Sequence, residues 1–541
     1  MRARSGVGAR SGVGARSGAS ASIGWRWPAI GLAATLVMAL TGPTLVTASD
    51  GPATRWWYSL DLPPHIAQLG NFVPFYAGMI ALSIAWLALG RRLRQAPGTT
   101  PPRLWLVAVL WALPLVAGPS LFSRDVFSYA AQGTLAHVGL NPYAYGPGVL
   151  SVWGHGRLVS AVSPVWRTTV APYGPLFVAL DGVVMGAAGS HLVAAVLLLR
   201  LLELVGVVLI AYFVPRLARC LGTDPARAVW LGLLSPVVLL SLVAAGHNDA
   251  LMVGLLLAGV TLALERRPLL GVVLCALATT IKVPAAAGIA FIAVAWARQQ
   301  PTPPARARAL LTACLTGVGV LVVVTQVSGL GWGWLSVGTL STPGDVTVAV
   351  TPVTALGTTL ASALHAVNLG PSTAGVQAVL RVIGLLAAAA TGIWLLRRTR
   401  MESLALDLGL ALLAVAVAGP VLWPWYLTWS FTLLAACEAG QRSRALVATL
   451  AAFGFVVSPA GSSLFSSQLA PVVSLAVVAA GVAGWRTWRQ GPAARLANTR
   501  PAMPSWPIPH IPITPRDRDA PTTDEPVPGE GAARLERSAG S

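Results

Sequence analysis

The run LWLVAVLWALPLVAGPSLF, Leu104 to Phe122, passes directly into SRDVFSYAAQGTLAHVGLNPYAYGP, Ser123 to Pro147. A charge-free run of that length can cross a hydrocarbon core about 30 Å thick, which needs roughly 20 residues. The polar and aromatic stretch behind it opens on Arg124 and Asp125, two opposite charges placed where the span ends. A carboxylate there is costly to desolvate and is often a functional group. The fold that follows is an all-α polytopic membrane protein, whose spans hold this loop and a few other polar points at one face.

Composition agrees. Of 541 residues, 55% are hydrophobic and only 10% charged, with a mean hydropathy of +0.70, too little charge to cover a soluble surface. The formal charge of +19 would suit a nucleic-acid binder, but the arginines cluster in short loops between spans and in the two tails. That is the distribution of loops on the cytoplasmic side, so no nucleic-acid partner is expected. Lys282 is the only lysine. The cysteines, Cys220, Cys275, Cys314 and Cys437, show no CxxC or Cys/His spacing, which gives neither a disulfide framework nor a zinc site.

Outward from the opening stretch, three regions are expected. Residues 1–24 carry the repeat ARSGVG and read as a disordered, Arg/Gly/Ser-rich tail. Residues 25–490 form the membrane domain. Residues 491–541 are rich in Pro, Arg and acidic groups, poor in apolar ones, and read as a disordered cytoplasmic tail.

Within the domain, Pro28–Ala48 is a retained first span, and Phe72–Gly90 ends in the inside marker Arg91-Arg92-Leu93-Arg94. Leu104–Phe122 then leads out to a first large outer loop at about 122–175. The apolar stretch Pro175–Ala188 is expected to be re-entrant or interfacial, and Leu192–Pro215 to cross. Ala228–Ala245 is expected to cross as one span. Alternation continues through a second outer loop at about 328–375 and gives about 12–14 helices. Arg124-Asp125, His247-Asn248-Asp249, Lys282 and Trp423–Tyr426 then share one face, the outer or periplasmic side of a bacterial plasma membrane.

Asp125 is the sharpest chemical candidate, a general base that takes a hydroxyl proton during attack on an activated sugar carbon. Its bland reading, a pair with Arg124, is disfavoured because adjacent helical residues point apart. His247-Asn248-Asp249 suits hydrogen bonding to sugar hydroxyls or support of a catalytic carboxylate, against the plainer role of a polar cap at a turn. His247 and Asp249 lack further ligands at suitable spacing, so no metal site is expected. Lys282 suits a lipid-linked phosphate, against simple snorkelling to the headgroups. Trp423, Trp425 and Tyr426 are either an interfacial belt or a stacking surface for a sugar. Arg200 and Glu203, three apart in one span, are expected to pair with each other. No Walker A or dinucleotide fingerprint is present, which disfavours nucleotide-driven chemistry.

SRDVFSY at Ser123–Tyr129 with Gly133, GLNPY at Gly139–Tyr143, APYGPL at Ala171–Leu176, GHNDA at Gly246–Ala250 and WPWY at Trp423–Tyr426 resemble, in this order, a known family. They are similar to the actinobacterial polyprenol-phosphate-mannose-dependent α-(1→6)-mannosyltransferases of the GT-C superfamily, over roughly residues 25–490. The resemblance implies an inverting enzyme with Asp125 as its essential acid residue, a β-mannosyl phosphate on a polyprenol as donor, and a mannan on a phosphatidylinositol-mannoside anchor as acceptor. The implied product is the α-(1→6)-mannan core of lipomannan and lipoarabinomannan. The matched motifs and nearby polar points make Arg124, Tyr129, Asn141, Tyr143, Tyr173, His247, Asn248, Asp249, Lys282, Trp423, Trp425 and Tyr426 the expected substrate-binding residues, with Lys282 or Arg124 on the leaving phosphate. Many GT-C enzymes have a second acidic residue where this chain has Arg124, so no divalent cation is firmly implied. Two other readings are a sibling transferase for polyprenyl-phosphate-arabinose and, more distantly, a lipid-linked sugar transporter or flippase. The latter would predict broken spans repeated in two halves, and no internal repeat is evident.

Overall fold

The structure is a computed structural model that describes residues 24–47, 64–95, 100–342 and 352–437. The expected tails up to residue 23 and from 491, and the last two expected spans, lie outside the described residues. What is described belongs to one compact unit and is helical, with no strand among the described residues.

The N-terminal helices α1 (Arg26–Thr47), α2 (Pro64–Gln95) and α3 (Pro101–Ala117) pack together. Prolines at the first turn start α3, and Gly118-Pro119 stops it. The first outer loop is largely helical: α4 (Asp125–His137), α5 (Gly156–Ala161) and short 3₁₀ turns. Its Ala-rich centre, Tyr129–Ala131, favours helix, and ten residues of α4 bury against the neighbouring helices. Next come α6 (Pro175–Ala188), which packs on α4, and the long span α7 (Leu192–Cys220).

The span expected over Ala228–Ala245 is not straight. It divides into α8 (Pro225–Gly232) and α9 (Pro236–Val238), which runs on as a π turn to Ala244, with a 48° bend between the two halves. Ser235-Pro236 supplies the break, since proline cannot donate to the preceding turn. Beyond it lie α10 (Asp249–Leu264), α11 (Pro268–Thr279), α12 (Ala286–Arg298) and α13 (Pro303–Ser328). The second outer segment also carries helices, α14 (Val337–Ser341) and α15 (Pro352–Ala366). The described chain closes with α16 (Thr373–Arg398), α17 (Leu404–Ala418) and α18 (Thr428–Ala436).

Five of these helices are long and apolar enough to cross a membrane, six if the bent pair counts as one span. Five shorter apolar helices of 10–17 residues accompany them, among them α3, α6 and α10. The expectation of 12–14 crossings counted short runs such as those of α10 and α11 as spans, while α6 was expected to be re-entrant or interfacial. At 1.5 Å per residue, the 16 residues of α10 reach only about 24 Å.

Two sharp turns bring the polar points together. Phe122 has φ of 67° and reverses the chain between α3 and α4, while Gly246 has φ of 68° just before His247. The first is rare for a bulky residue and the second easy for glycine. Arg200 on α7 ties the two turns to each other. Its guanidinium donates to the carbonyls of Val116 (3.1 Å), Gly118 (2.5 Å), Pro119 (2.8 Å) and Ala244 (2.6 Å). The expected Arg200–Glu203 pair is therefore absent. Carbonyls at the ends of helices lack intrahelical partners and capture the guanidinium, while Glu203 accepts the Leu251 N–H.

Candidate active site

Asp125 is the first residue of α4. Its backbone N–H donates to Oγ of Ser123 at 3.1 Å, and its carboxylate sits at the positive end of the helix. The side chain is 15% exposed and its Oδ2 lies 3.4 Å from Nδ1 of His247, which is fully buried. The imidazole stacks face to face on Trp425, with ring centres 3.7 Å apart, and Trp425 stacks in turn on Trp423 at 4.8 Å. An aromatic slab thus fixes the ring that faces Asp125.

Tyr129, one turn along α4, has its hydroxyl 3.5 Å from the same His247 nitrogen and accepts the Asn248 N–H at 3.4 Å. Burial pushes the Tyr129 phenol well above its ordinary value, and the neighbouring Tyr173, Asp125 and Asp249 push the same way. Tyr173 and Tyr426 are also raised, chiefly by burial. All three remain neutral across the ordinary pH range.

A second cluster stands beside the first. Asp249, fully buried at the start of α10, takes Nζ of Lys282 at 2.8 Å on one oxygen and the indole N–H of Trp429 on the other. The ammonium lies 4.9 Å from the ring centre of Tyr426, 5.5 Å from Trp429 and 5.9 Å from Tyr173. Lys282 is therefore an ion-paired cation in an aromatic cage. The side chains of this trio do not act as a helix cap, because Asp249 looks toward Lys282 and His247 toward Asp125.

Gly174 locks the first outer loop to this cluster. Its N–H donates to the Ile281 carbonyl at 2.9 Å, and a Cβ there would stand 2.2 Å from the Thr280 carbonyl oxygen. Only glycine fits that approach, and it fixes Tyr173 beside Lys282.

Both clusters border one cleft of about 470 Å³. Of the expected residues, Asp125, Tyr173, Lys282, Trp423, Trp425 and Tyr426 line it. His247, Asn248, Asp249 and Tyr129 stand behind that wall. Arg124 turns elsewhere, with Nε on the Ala161 carbonyl at 2.9 Å and Nη2 on the Ser160 carbonyl at 3.2 Å. Asn141 and Tyr143 hold the loop together. Asn141 accepts the Tyr143 N–H (2.9 Å) and donates to the Leu330 carbonyl (3.2 Å), and the Tyr143 hydroxyl donates to the Tyr173 carbonyl (3.0 Å).

Sequence reasoning missed Trp429 and Arg381, which also line the cleft. Trp429 follows Trp425 at i+4, the spacing of one helical face, and Arg381 is an ionisable residue inside an otherwise apolar span. Both signals were present in the sequence.

The arrangement offers a carboxylate and a caged cation lining one aromatic cleft, whose wall also includes residues of the apolar helices α16 and α17. Comparison with known proteins gives it a family. A model described as alpha-(1->6)-mannopyranosyltransferase, N-terminal domain, matches residues 28–298, and one described as MptB C-terminal domain matches residues 353–488. The chain is 34% identical to alpha-(1->6)-mannopyranosyltransferase A of Mycobacterium tuberculosis over 402 residues, covering 72% of this chain and 75% of that one. It is 33% identical to a probable alpha-(1->6)-mannopyranosyltransferase of Mycolicibacterium smegmatis over 503 residues, 86% of each chain. A protein of the same name, B, from Corynebacterium glutamicum is 27% identical over 412 residues, 71% of this chain and 67% of that one. No solved structure matches. With a matching model over half its length and relatives that span most of it, the chain belongs to the alpha-(1->6)-mannopyranosyltransferase family of membrane-embedded glycosyltransferases.

Proposed function

We propose that this protein transfers mannose from a polyprenyl-phosphate-mannose donor to a mannan carried on a phosphatidylinositol-mannoside anchor, extending an α-(1→6)-linked chain at the outer face of the plasma membrane. The acceptor 6-hydroxyl oxygen attacks C1 of the β-linked mannosyl phosphate in line. The C1–O bond to phosphate breaks, polyprenyl phosphate leaves, and Asp125 takes the hydroxyl proton. One displacement inverts β to α. No nucleotide is consumed, because the bond energy resides in the donor.

The observation that carries this reading is the position of Asp125. It is a carboxylate open to a cleft that apolar residues of α16 and α17, Leu385, Val415 and Ala416, also line, so a base and a lipid-linked substrate can meet there. His247 holds the carboxylate's orientation through Nδ1, and the stacked Trp423 and Trp425 offer the flat surface on which sugar rings pack.

Membranes bearing wild type or Asp125→Asn, supplied with polyprenyl-phosphate-mannose and a short α-(1→6)-mannoside, test it. Wild type transfers mannose, and the variant, expressed to the same level, falls by about 10²–10⁴-fold, the usual worth of a positioned base. Transfer that survives the substitution assigns the proton to another group. Transfer of arabinose in place of mannose assigns the sibling chemistry.

A further inference from the structure

Arg200, Glu203 and Gly206 stand three residues apart on α7 and share one face of it. That face runs past both ends of the turn at Gly246–Asp249, which presents His247 to Asp125 and Asp249 to Lys282. Before the turn, Arg200 donates to the Ala244 carbonyl at 2.6 Å, and a Cβ on Gly246 would stand 3.2 Å from its Cγ. After the turn, Glu203 accepts the N–H of Leu251. Further along, a Cβ on Gly206 would overlap the peptide joining Ala250 to Leu251, so only glycine lets α7 lie this close to α10.

The start of α10 depends on that carboxylate. The first turn of a helix leaves N–H groups without intrahelical partners, and an Asn at the cap ordinarily takes one of them. Asn248 occupies the cap of α10 and makes no such bond; its side-chain oxygen and nitrogen are both buried without a hydrogen-bond partner. Leu251 is buried, so its N–H needs an acceptor from the protein. Glu203 is that acceptor, supplied by a different helix. It is itself buried, and its other carboxylate oxygen has no partner among the described residues. Glu203 does not line the cleft, so it reaches the chemistry only through the turn.

We propose that Glu203 is a positioning residue for mannose transfer. By capping α10 from the neighbouring helix, it fixes the turn at Gly246–Asp249, and with it the placement of His247 against Asp125 and of Asp249 against Lys282. This rests on the transfer reading above, because the base that is placed is the one assigned there. Arg200 holds the chain before the turn and Glu203 the chain after it, so α7 sets the spacing of the two clusters. Loss of the cap displaces both of them at once.

The test uses the full chain in lipid nanodiscs, checked as folded by size exclusion, and measures amide hydrogen exchange across Asp249–Leu251 together with kcat and both KM values for mannose transfer. Glu203→Met keeps the volume and loses the acceptor. It should speed that exchange and lower kcat, each by about tenfold or more, because a misplaced catalytic group costs rate. Donor and acceptor KM should stay the same, since the cleft walls remain. Glu203→Gln keeps a carbonyl oxygen for the Leu251 N–H and should restore both exchange and kcat. Glu203→Asp, one methylene shorter, should fall between and serves if the Met variant fails to fold. Faster exchange with full kcat would make the cap a matter of stability alone and overturn the proposal. A Gln variant no better than Met, or exchange that none of the three changes, overturns it too. Wild type that transfers no mannose sinks the transfer reading instead, and the exchange in the Met and Gln variants then decides whether Glu203 holds the turn.

Discussion

Oδ2 of Asp125 and Nδ1 of His247 stand 3.4 Å apart, and the imidazole between them and Trp425 is fully buried. His247 therefore acts on any reaction through Asp125, by fixing where its carboxylate points. Replacing it with Gln keeps a donor but loses the stacked ring. His247→Gln is expected to lower kcat about tenfold to a hundredfold, the scale on which a misplaced catalytic group costs rate, because the carboxylate loses the stacked ring that faces it. Equal kcat in a folded variant would assign His247 to packing alone.

Asp249 and Lys282 form the second relationship. Asp249 is wholly buried, so removing Lys282 leaves a carboxylate without its counter-charge, a loss of roughly 3–5 kcal/mol for buried pairs. Lys282→Met should lower the thermal midpoint in detergent strongly. The double variant Lys282→Met with Asp249→Asn should recover part of that loss. Additive losses would show that the two groups do not depend on each other.

The proximity of these groups was only partly legible in the sequence. Counting inside charges placed Asp125, His247, Asp249, Lys282 and Trp425 at one face, because positive loops report sidedness whatever the packing. Which of them touch was not legible. Asp249 pairs across 33 residues with Lys282 and across 180 with Trp429, and such meetings are set by how helices lean together. The helical character of the first outer loop was hidden by its Pro, Gly and Trp content, and the bend at Ser235-Pro236 by the apolar run around it. Arg124 looked like a site residue through its adjacency to Asp125. Neighbours on a helix diverge, and its guanidinium instead ties down the carbonyls of Ser160 and Ala161.

The buried tyrosines set a limit at high pH. Tyr129, Tyr173 and Tyr426 are raised above the ordinary phenol value, mainly by burial. An unfolded chain ionises its tyrosines near pH 10, while these stay protonated in the folded state. Stability is therefore intact below pH of about 10 and falls as pH rises past it. Alkaline unfolding followed by tyrosinate absorbance should start near that value, and Tyr129→Phe should lessen the slope. The same variant should leave the kcat profile below pH of about 9 unmoved, since Tyr129 is neutral there. A profile shift in Tyr129→Phe would place an ionisation on that phenol.

Arg200 makes the strongest structural prediction, because it joins the two turns that present Asp125 and His247. Its carbonyl partners belong to the end of α3 and the π turn after α9, and the side chain is almost wholly buried. Hydrogen bonds to a charged donor contribute about 1.5–3 kcal/mol each, and carbonyls left unpartnered in a dry interior cost more than the bonds return. Arg200→Met should thus destabilise by more than about 3 kcal/mol and reduce folded yield. Arg200→Lys is the informative variant. An ammonium can reach some of the four carbonyls but cannot span them as a planar fork does. The Lys variant should fold, lose transfer through a lower kcat, and keep donor and acceptor KM, because the cleft walls remain while Asp125 shifts relative to His247. A folded Arg200→Lys protein with full kcat would show that the two turns hold their spacing without the guanidinium.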